Sequence, residues 1–143
     1  MYLFDVNVLI ALAWDNHEHH ARAHDWFGKL AGTSFATCNV TQSGFVRLSV
    51  NPNVVHCQIT IADALAMLES FTKHSNHVFC EDGPLQADST AWRVVTSYKQ
   101  VTDTNLRLIA HRHGRKLVTL DEGIQGRLPE NQKSWVEVIP AYR

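Results

Sequence analysis

The sequence predicts an α/β fold, in which helices cover both faces of a mostly parallel central sheet of about five strands. Short apolar runs typical of buried strands alternate with longer segments whose apolar residues recur at helical spacing. This alternation is typical of strand–helix–strand units, which place neighbouring strands parallel. With 143 residues, 45% apolar and 19% charged, the chain has the size and composition of one globular domain over residues 1–143.

Local signals place the individual elements. The run that starts at Tyr2 is short and apolar, as expected for a buried strand. Thr60 and Asp63 have the spacing of a capping box at a helix start, and Pro84 suits the first turn of another helix. Strands are predicted at residues 2–6, 34–38, 77–80, 116–120 and 136–139. Helices are predicted at residues 7–14, 20–31, 41–50, 61–71, 84–98 and 103–113.

Charge, cysteine spacing and the length of the apolar runs argue against a strongly basic nucleic-acid binder, a disulfide or cysteine–zinc framework, and a membrane-spanning protein. The formal net charge is −1, with nine histidines counted as neutral, so any nucleic-acid contact must be local or mediated by a metal. Cys38, Cys57 and Cys80 form no CxxC pair, and we expect free, buried thiols in a reducing compartment. The longest apolar run, residues 8–14, is too short to span a bilayer, so we expect a soluble, cytoplasmic protein.

Three carboxylates are predicted to meet at one edge of the sheet. Asp5 and Asp121 each follow a predicted strand, and Asp103 stands at the start of a helix. Carboxylates that converge in this way repel one another unless a cation lies between them, and oxygen ligands select Mg²⁺ or Mn²⁺. Such an ion can polarise a phosphoryl oxygen and activate water. Two of the acids have ordinary structural explanations as well, because Asp103 suits a helix N-cap and Asp121 suits a turn.

Four segments in chain order carry a more specific signal. They are LFDVNVL at residues 3–9, TQSGFVRL at 41–48, VTD at 101–103 and LVTLD at 117–121. Together they resemble the motif blocks of PIN-domain ribonucleases, and more narrowly the VapC toxins of bacterial VapBC toxin–antitoxin systems. The resemblance implies an α/β/α sandwich, metal-dependent endonucleolytic cleavage of RNA that leaves a 5′-phosphate and a 3′-hydroxyl, inhibition by a VapB antitoxin, and a homodimer.

The resemblance also implies roles for individual residues. Asp5, Asp103 and Asp121 match the catalytic acids that bind the metal, and Asn7 and Thr119 match small polar residues that support them. One position departs from the family pattern.

Gln42 stands where the family usually has a glutamate. An amide oxygen can still contact water or metal, but it lacks the negative charge, so we expect weaker metal binding or an inactive site. A role as an ordinary early helix residue is equally compatible with the sequence.

Basic side chains near the acids are candidates for RNA contact. Arg107, His111 and Arg115 are spaced four apart and predict one stripe on the helix that starts at Asp103. An ordinary solvated helix face explains the same spacing. Arg47, on the helix after Gln42, is the fourth candidate. In the histidine cluster at residues 17, 19, 20 and 24, three members share a helical face, but no Cys or carboxylate set completes a zinc site at a known spacing. The cluster predicts a solvated helix start, with RNA contact as the alternative.

Three other functions are compatible with parts of the pattern. A PIN-like module that only binds RNA or an antitoxin would explain Gln42. A haloacid-dehalogenase phosphatase would use Asp5 as nucleophile, but Asn7 stands where that class has its second aspartate. A receiver domain needs an adjacent acidic pair after the first strand, which Asp5-Val6 does not provide.

Overall fold

The structure, a computed structural model, describes residues 1–141. The strands are β1 (Tyr2–Phe4), β2 (Phe35–Thr37), β3 (His77–Phe79), β4 (Lys116–Thr119) and β5 (Val136–Val138). The helices are α1 (Val6–Ala13), α2 (His20–Gly28), α3 (Asn39–Ser49), α4 (Pro52–Val55), α5 (Ile61–Thr72), α6 (Val101–Arg112) and α7 (Ile124–Arg127). Three 3₁₀ turns lie at Thr90–Val94, Tyr98–Gln100 and Glu130–Trp135.

The five strands form one sheet in the order β3-β2-β1-β4-β5, with every neighbouring pair parallel. β1 is the central strand, and Tyr2 is in register with Phe35 of β2 and with Lys116 of β4. The carboxyl ends of β1 and β4 therefore lie side by side. In a parallel sheet this is the edge where ligands bind.

Helices pack on both faces of the sheet, which confirms the predicted sandwich. Because side chains alternate along a strand, Phe4 and Leu3 point to opposite faces. Phe4 belongs to the larger core, with apolar residues of α1, Phe45 of α3 and Val118. Leu3 belongs to a second core, with Leu106 and other residues of α6. Burial on both faces explains why the central strands β1 and β2 are continuous apolar runs, whereas the edge strand β3 is largely exposed.

α3 begins at Asn39, two residues earlier than predicted. Thr41 lies inside the helix, and its hydroxyl accepts a hydrogen bond from the backbone N–H of Cys38 at 2.9 Å. The carboxylate of Asp82 accepts from the N–H groups of Asn39 and Val40 at 2.7 and 3.0 Å. A carboxylate distant in sequence thus satisfies the first amides of the helix, which local sequence cannot reveal.

The prediction of a helix over residues 84–98 is wrong. The segment is a loop that contains one short 3₁₀ turn and leads into a second at Tyr98–Gln100, and the hydroxyls of Ser89 and Ser97 accept from backbone N–H groups two residues ahead, each at 3.2 Å. The indole N–H of Trp92 donates to the carbonyl of Gln86 at 2.8 Å. Serine side chains compete with helical hydrogen bonds in this way, and Pro84 alone does not outweigh them.

Other differences from the sequence predictions are smaller. Strands β1 to β5 end one or two residues before the predicted ends, and α4 and α7 were not predicted. Cys38 and Cys80 are buried as expected, but Cys57 is exposed. Among residues 1–141, no helix has the length and apolar character needed to cross a membrane.

Candidate active site

The three aspartates selected from the sequence line one cavity at the carboxyl edge of the sheet. Asp5 follows β1 directly, Asp121 follows β4 by two residues, and Asp103 lies in the first turn of α6. The backbone N–H of Asp5 donates to the carbonyl of Val118 at 3.0 Å, which joins the end of β1 to β4. The cavity has a volume of about 450 Å³ and is lined by Asp5, Asn7, His17, Glu18, His19, Asp103, Thr119, Leu120 and Asp121.

Asp5 is the most deeply buried of the acids, with 6% of its surface exposed. Its pKa is raised to about 7. Burial is the largest cause, and the negative charges of Asp103 and Asp121 act in the same direction. The backbone N–H of Val6 and the hydroxyl of Thr119 act in the opposite direction. Mutual repulsion of this kind marks a place where a cation would be stabilised.

Asp103 has a raised pKa for the same main reason. Burial is the largest cause, Asp121 adds to the increase, and the guanidinium groups of Arg107 and Arg127 oppose it. Asp103 is the third helical residue of α6, so its carboxylate is not the N-cap that the sequence also allowed.

Thr119 connects two of the acids. Its hydroxyl donates to Oδ2 of Asp5 at 3.4 Å and accepts from the backbone N–H of Asp121 at 3.1 Å. The other contacts of Asp121 are with its own turn, because Oδ1 accepts from the N–H of Gly123 at 3.0 Å and Oδ2 pairs with Arg127. These bonds place the hydroxyl of Thr119 between the two acids.

The donor set suits a hard divalent cation. Carboxylates and the amide of Asn7 offer oxygen ligands, which Mg²⁺ and Mn²⁺ prefer. Within residues 1–141, however, no three His, Cys, Asp or Glu side chains stand close enough together to ligate an ion in this geometry. Asp121 is turned toward Arg127, so it would have to leave that partner to join Asp5.

Gln42 does not line the acidic cavity. Its side-chain amide donates to Oγ1 of Thr37 at 3.0 Å, and that oxygen also lies 2.7 Å from Nε2 of His77. The amide is therefore engaged at the end of β2 and does not line the acidic cavity. This geometry does not favour Gln42 as a metal ligand.

The predicted stripe of Arg107, His111 and Arg115 is wrong as one exposed face. Arg107 is buried, and a guanidinium N–H of Arg115 donates to Oγ of Ser34 at 3.0 Å. His111 is exposed and stacks on Trp135 with ring centres 3.9 Å apart. Arg47 is exposed but lines a different hollow, beside α1 and α6. Helical spacing showed which residues share a face but not what packs against it.

The cavity also contains residues that the sequence analysis did not select. His17, Glu18 and His19, on the turn between α1 and α2, form one of its walls. Nδ1 of His17 accepts from the N–H of His19 at 3.0 Å, and burial lowers the pKa of His17. His17 and His19 are thus partly solvated residues just before α2 that also line the cavity. Their position after an active-site helix was the available signal.

Comparison with known proteins identifies the family of the chain. The sequence model of the PIN domain family matches residues 2–129. The chain is 42% identical over 139 residues to Ribonuclease VapC38 of Mycobacterium tuberculosis (strain ATCC 25618 / H37Rv), covering 97% of this chain and 98% of that protein. It is 42% identical over 124 residues to Ribonuclease VapC39 of the same strain, covering 85% and 89%. Identity to Ribonuclease VapC44 is 36% over 124 residues, covering 85% and 87%.

The fold and the acidic edge define a class of small α/β proteins with a carboxylate site at the ends of parallel strands. The chain belongs to the PIN domain family, within the group of VapC proteins. This assignment does not support the phosphatase and receiver interpretations of Asp5.

Proposed function

We propose that the protein is a metal-dependent endoribonuclease toxin that hydrolyses phosphodiester bonds of RNA as a single cytoplasmic PIN domain. The observation that carries the proposal is the meeting of Asp5, Asp103 and Asp121 around one cavity. They come from the ends of two adjacent parallel strands and the first turn of a helix. The relatives, which are named ribonucleases, support the choice of RNA as substrate.

Mg²⁺ or Mn²⁺ held by the three aspartates would supply polarisation of a phosphoryl oxygen and activation of water. The protein contributes orientation. Thr119 fixes Asp5 and the backbone of Asp121 through one hydroxyl, and Asn7 offers an amide to the same cavity. The volume of about 450 Å³ is large enough for a phosphodiester together with an adjoining sugar.

The test is cleavage of total bacterial RNA by protein freed of antitoxin. Parallel reactions contain Mg²⁺, Mn²⁺ or a chelator, with Asp5→Ala as the matched control. We expect discrete cuts that need metal and disappear in Asp5→Ala, since Asp5 is the central acid of the site. Sequencing of the new 5′ ends names the substrate. Cuts that persist in the chelator or in Asp5→Ala would contradict the proposal.

A second candidate is a PIN-like module that binds RNA or antitoxin without cutting. Two observations favour it: Gln42 turns toward Thr37, and Asp121 is paired with Arg127. Gln42→Glu separates the two functions. If Gln42 only weakens catalysis, restoring the carboxylate should raise the cleavage rate by about tenfold or more, as for other groups that tune a metal site. Absence of cleavage by both proteins under every metal would favour the binding module.

We also propose a VapB-type antitoxin and a second copy of the chain as partners. Large apolar side chains are exposed on α5, where Ile61 and Leu65 are 55% and 51% exposed. Light scattering of the protein with and without an antitoxin tests both parts. A protein that stays monomeric at micromolar concentration would overturn the homodimer.

A further inference from the structure

A second, smaller cavity adjoins the acidic one. It has a volume of about 30 Å³, and its polar lining residues are Gln100, Asp103, Thr104, Arg107 and Arg127. Asp103 lines both cavities. Arg127 lines the small one and pairs with Asp121 of the large one. The two cavities therefore meet along these side chains.

Arg107 is a buried cation whose bonding is incomplete. It is 4% exposed, one terminal nitrogen donates to Oγ1 of Thr104 at 3.3 Å, and its Nε has no hydrogen-bond partner among residues 1–141. Burial lowers the pKa of its guanidinium, while the charge of Asp103 raises it. An unsatisfied buried donor is costly, so a group that enters the cavity and accepts a hydrogen bond from Nε would be stabilised.

Arg127 forms the outer wall and is about half exposed. It and Arg107 both carry positive charge and line the same small space, where repulsion by Arg127 lowers the pKa of the Arg107 guanidinium. An anion between them would relieve that repulsion. Planar guanidinium groups match the oxygens of a phosphate particularly well.

Size restricts what the small cavity accepts. A volume of about 30 Å³ holds one or two water-sized groups. The non-bridging oxygens of a phosphodiester are of this size, whereas a base or a sugar is too large. We propose that this cavity binds a phosphodiester of the RNA strand next to the one that is cut, with Arg107 and Arg127 as the donors. This inference rests on the proposed function.

Arg127 cannot fully serve the phosphate while it is paired with Asp121. Neutralising Asp121, by a bound cation or by substitution, releases Arg127 toward the small cavity. The acidic site and the phosphate subsite are therefore coupled, and filling one strengthens the other.

The experiment uses the full chain in chelator, where no cleavage is measured. The probe is a diribonucleoside monophosphate, which contains one phosphodiester and no terminal phosphate, and inorganic phosphate is titrated in parallel. The readout is the ¹H–¹⁵N signal of the Arg107 Nε–H group, together with the dissociation constant. Wild type is compared with Asp121→Asn, which removes the competing charge without requiring metal.

We expect the diester to shift the Arg107 signal and to bind Asp121→Asn about fivefold more tightly than wild type, the size of one exposed ion pair. Asp121→Asn/Arg127→Gln should lose this gain. Asp121→Asn/Arg93→Gln should keep it, because Arg93 carries the same charge on the nearby surface but lines neither cavity. Equal gains in the two double variants would overturn the role of Arg127.

Arg107→Met tests the buried donor. Its unfolding is followed by circular dichroism, and we expect it to fold and to lose diester binding, because removing an incompletely bonded buried charge is tolerated. If it does not fold, Arg107→Lys is used instead. It keeps the charge but removes the planar pair of guanidinium donors, so binding of the diester should still fall. An unshifted Arg107 signal, or binding of inorganic phosphate alone, would overturn the proposal. Because no RNA is cut here, an inactive nuclease would not affect the result.

Discussion

At the scale of the residue, Asp5 is the group on which the site depends most. It is buried at the end of the central strand, close to two other carboxylates, and its pKa is raised to about 7. A raised pKa means that the folded protein holds a proton which the unfolded chain has already lost. The ionised acid is thus a source of instability whenever no cation is bound.

This gives a prediction for pH dependence. Between about pH 4 and pH 7 the folded state binds more protons than the unfolded state, so the free energy of unfolding should fall as pH rises in chelator. In Asp5→Asn this decrease should be smaller. From pH 4.5 to pH 8 the free energy of unfolding of the variant should rise by about 2–4 kcal/mol relative to that of wild type. Urea unfolding at several pH values measures it.

Metal supplies the control. Added Mg²⁺ or Mn²⁺ should restore stability to wild type at pH 8 and do little for Asp5→Asn. Parallel pH curves for the two proteins in chelator would show that Asp5 titrates normally.

The importance of the three aspartates could be predicted because each stands at a recognisable position in the sequence, directly after an apolar strand or at the start of a helix. Asp5 and Asp121 follow buried strands, where an unpaired charge is costly. The contributions of Arg107 and Arg127 could not. Whether a helical arginine is exposed depends on what packs against it, and the path of the chain after Asp121 decides where Arg127 lies. The positions of His17, Glu18 and His19 in the cavity wall likewise depend on the path of the chain between α1 and α2.

At the scale of the element, α1 and α3 approach each other closely beside the site. A Cβ atom added at Gly44 would lie 2.8 Å from Cγ2 of Val6, the residue after Asp5. Glycine is required there because a larger side chain would push the start of α1, and Asp5 with it, away from α3.

Gly44→Ala should therefore lower the free energy of unfolding by about 1–3 kcal/mol, the usual cost of overpacking. Gly28→Ala is the matched control, because nothing lies within 4 Å of an added Cβ at that position of α2. We expect no loss of stability for Gly28→Ala. Thermal unfolding of the two variants measures the difference, and equal melting temperatures would contradict the close approach.

Helices and strands with an apolar pattern or a capping box between neighbouring residues were predictable at this scale, whereas boundaries that depend on remote side chains or on serine hydroxyls in a loop were not. The start of α5 follows from Thr60 and Asp63, which form the predicted capping box. α3 begins early because Asp82, remote in sequence, caps it. The loop at residues 84–98 failed as a helix because serine hydroxyls satisfy its backbone locally.

At the scale of the whole molecule, Arg22 of α2 connects the carboxyl ends of β4 and β5. It is buried, and its guanidinium donates to the carbonyls of Pro140 at 2.9 Å and of Ile139. It also lies 3.5 Å from the carbonyl of Leu120 and 3.2 Å from the carboxylate of Glu122. These two residues flank Asp121, so Arg22 supports the turn that presents this acid.

Arg22→Met should lower the free energy of unfolding by about 2–4 kcal/mol, because several buried acceptors lose their donor together. Arg93→Met, at an exposed position, should change it by less than about 0.5 kcal/mol. Urea unfolding compares the two. A loss for Arg22→Met no larger than for Arg93→Met would show that the contacts contribute nothing.

The order of the strands also has a consequence for synthesis of the protein. β1 is made first but lies between β2 and β4, and β4 follows all of α6 in the chain. A chain that is still growing on the ribosome has Asp5 before it has Asp103 or Asp121. The helices and strands of the first half can pack around α1 while β4, the second neighbour of β1, has not yet been made. The acidic cavity is therefore completed only after β4 has emerged, and translation that stalls earlier leaves a chain without it.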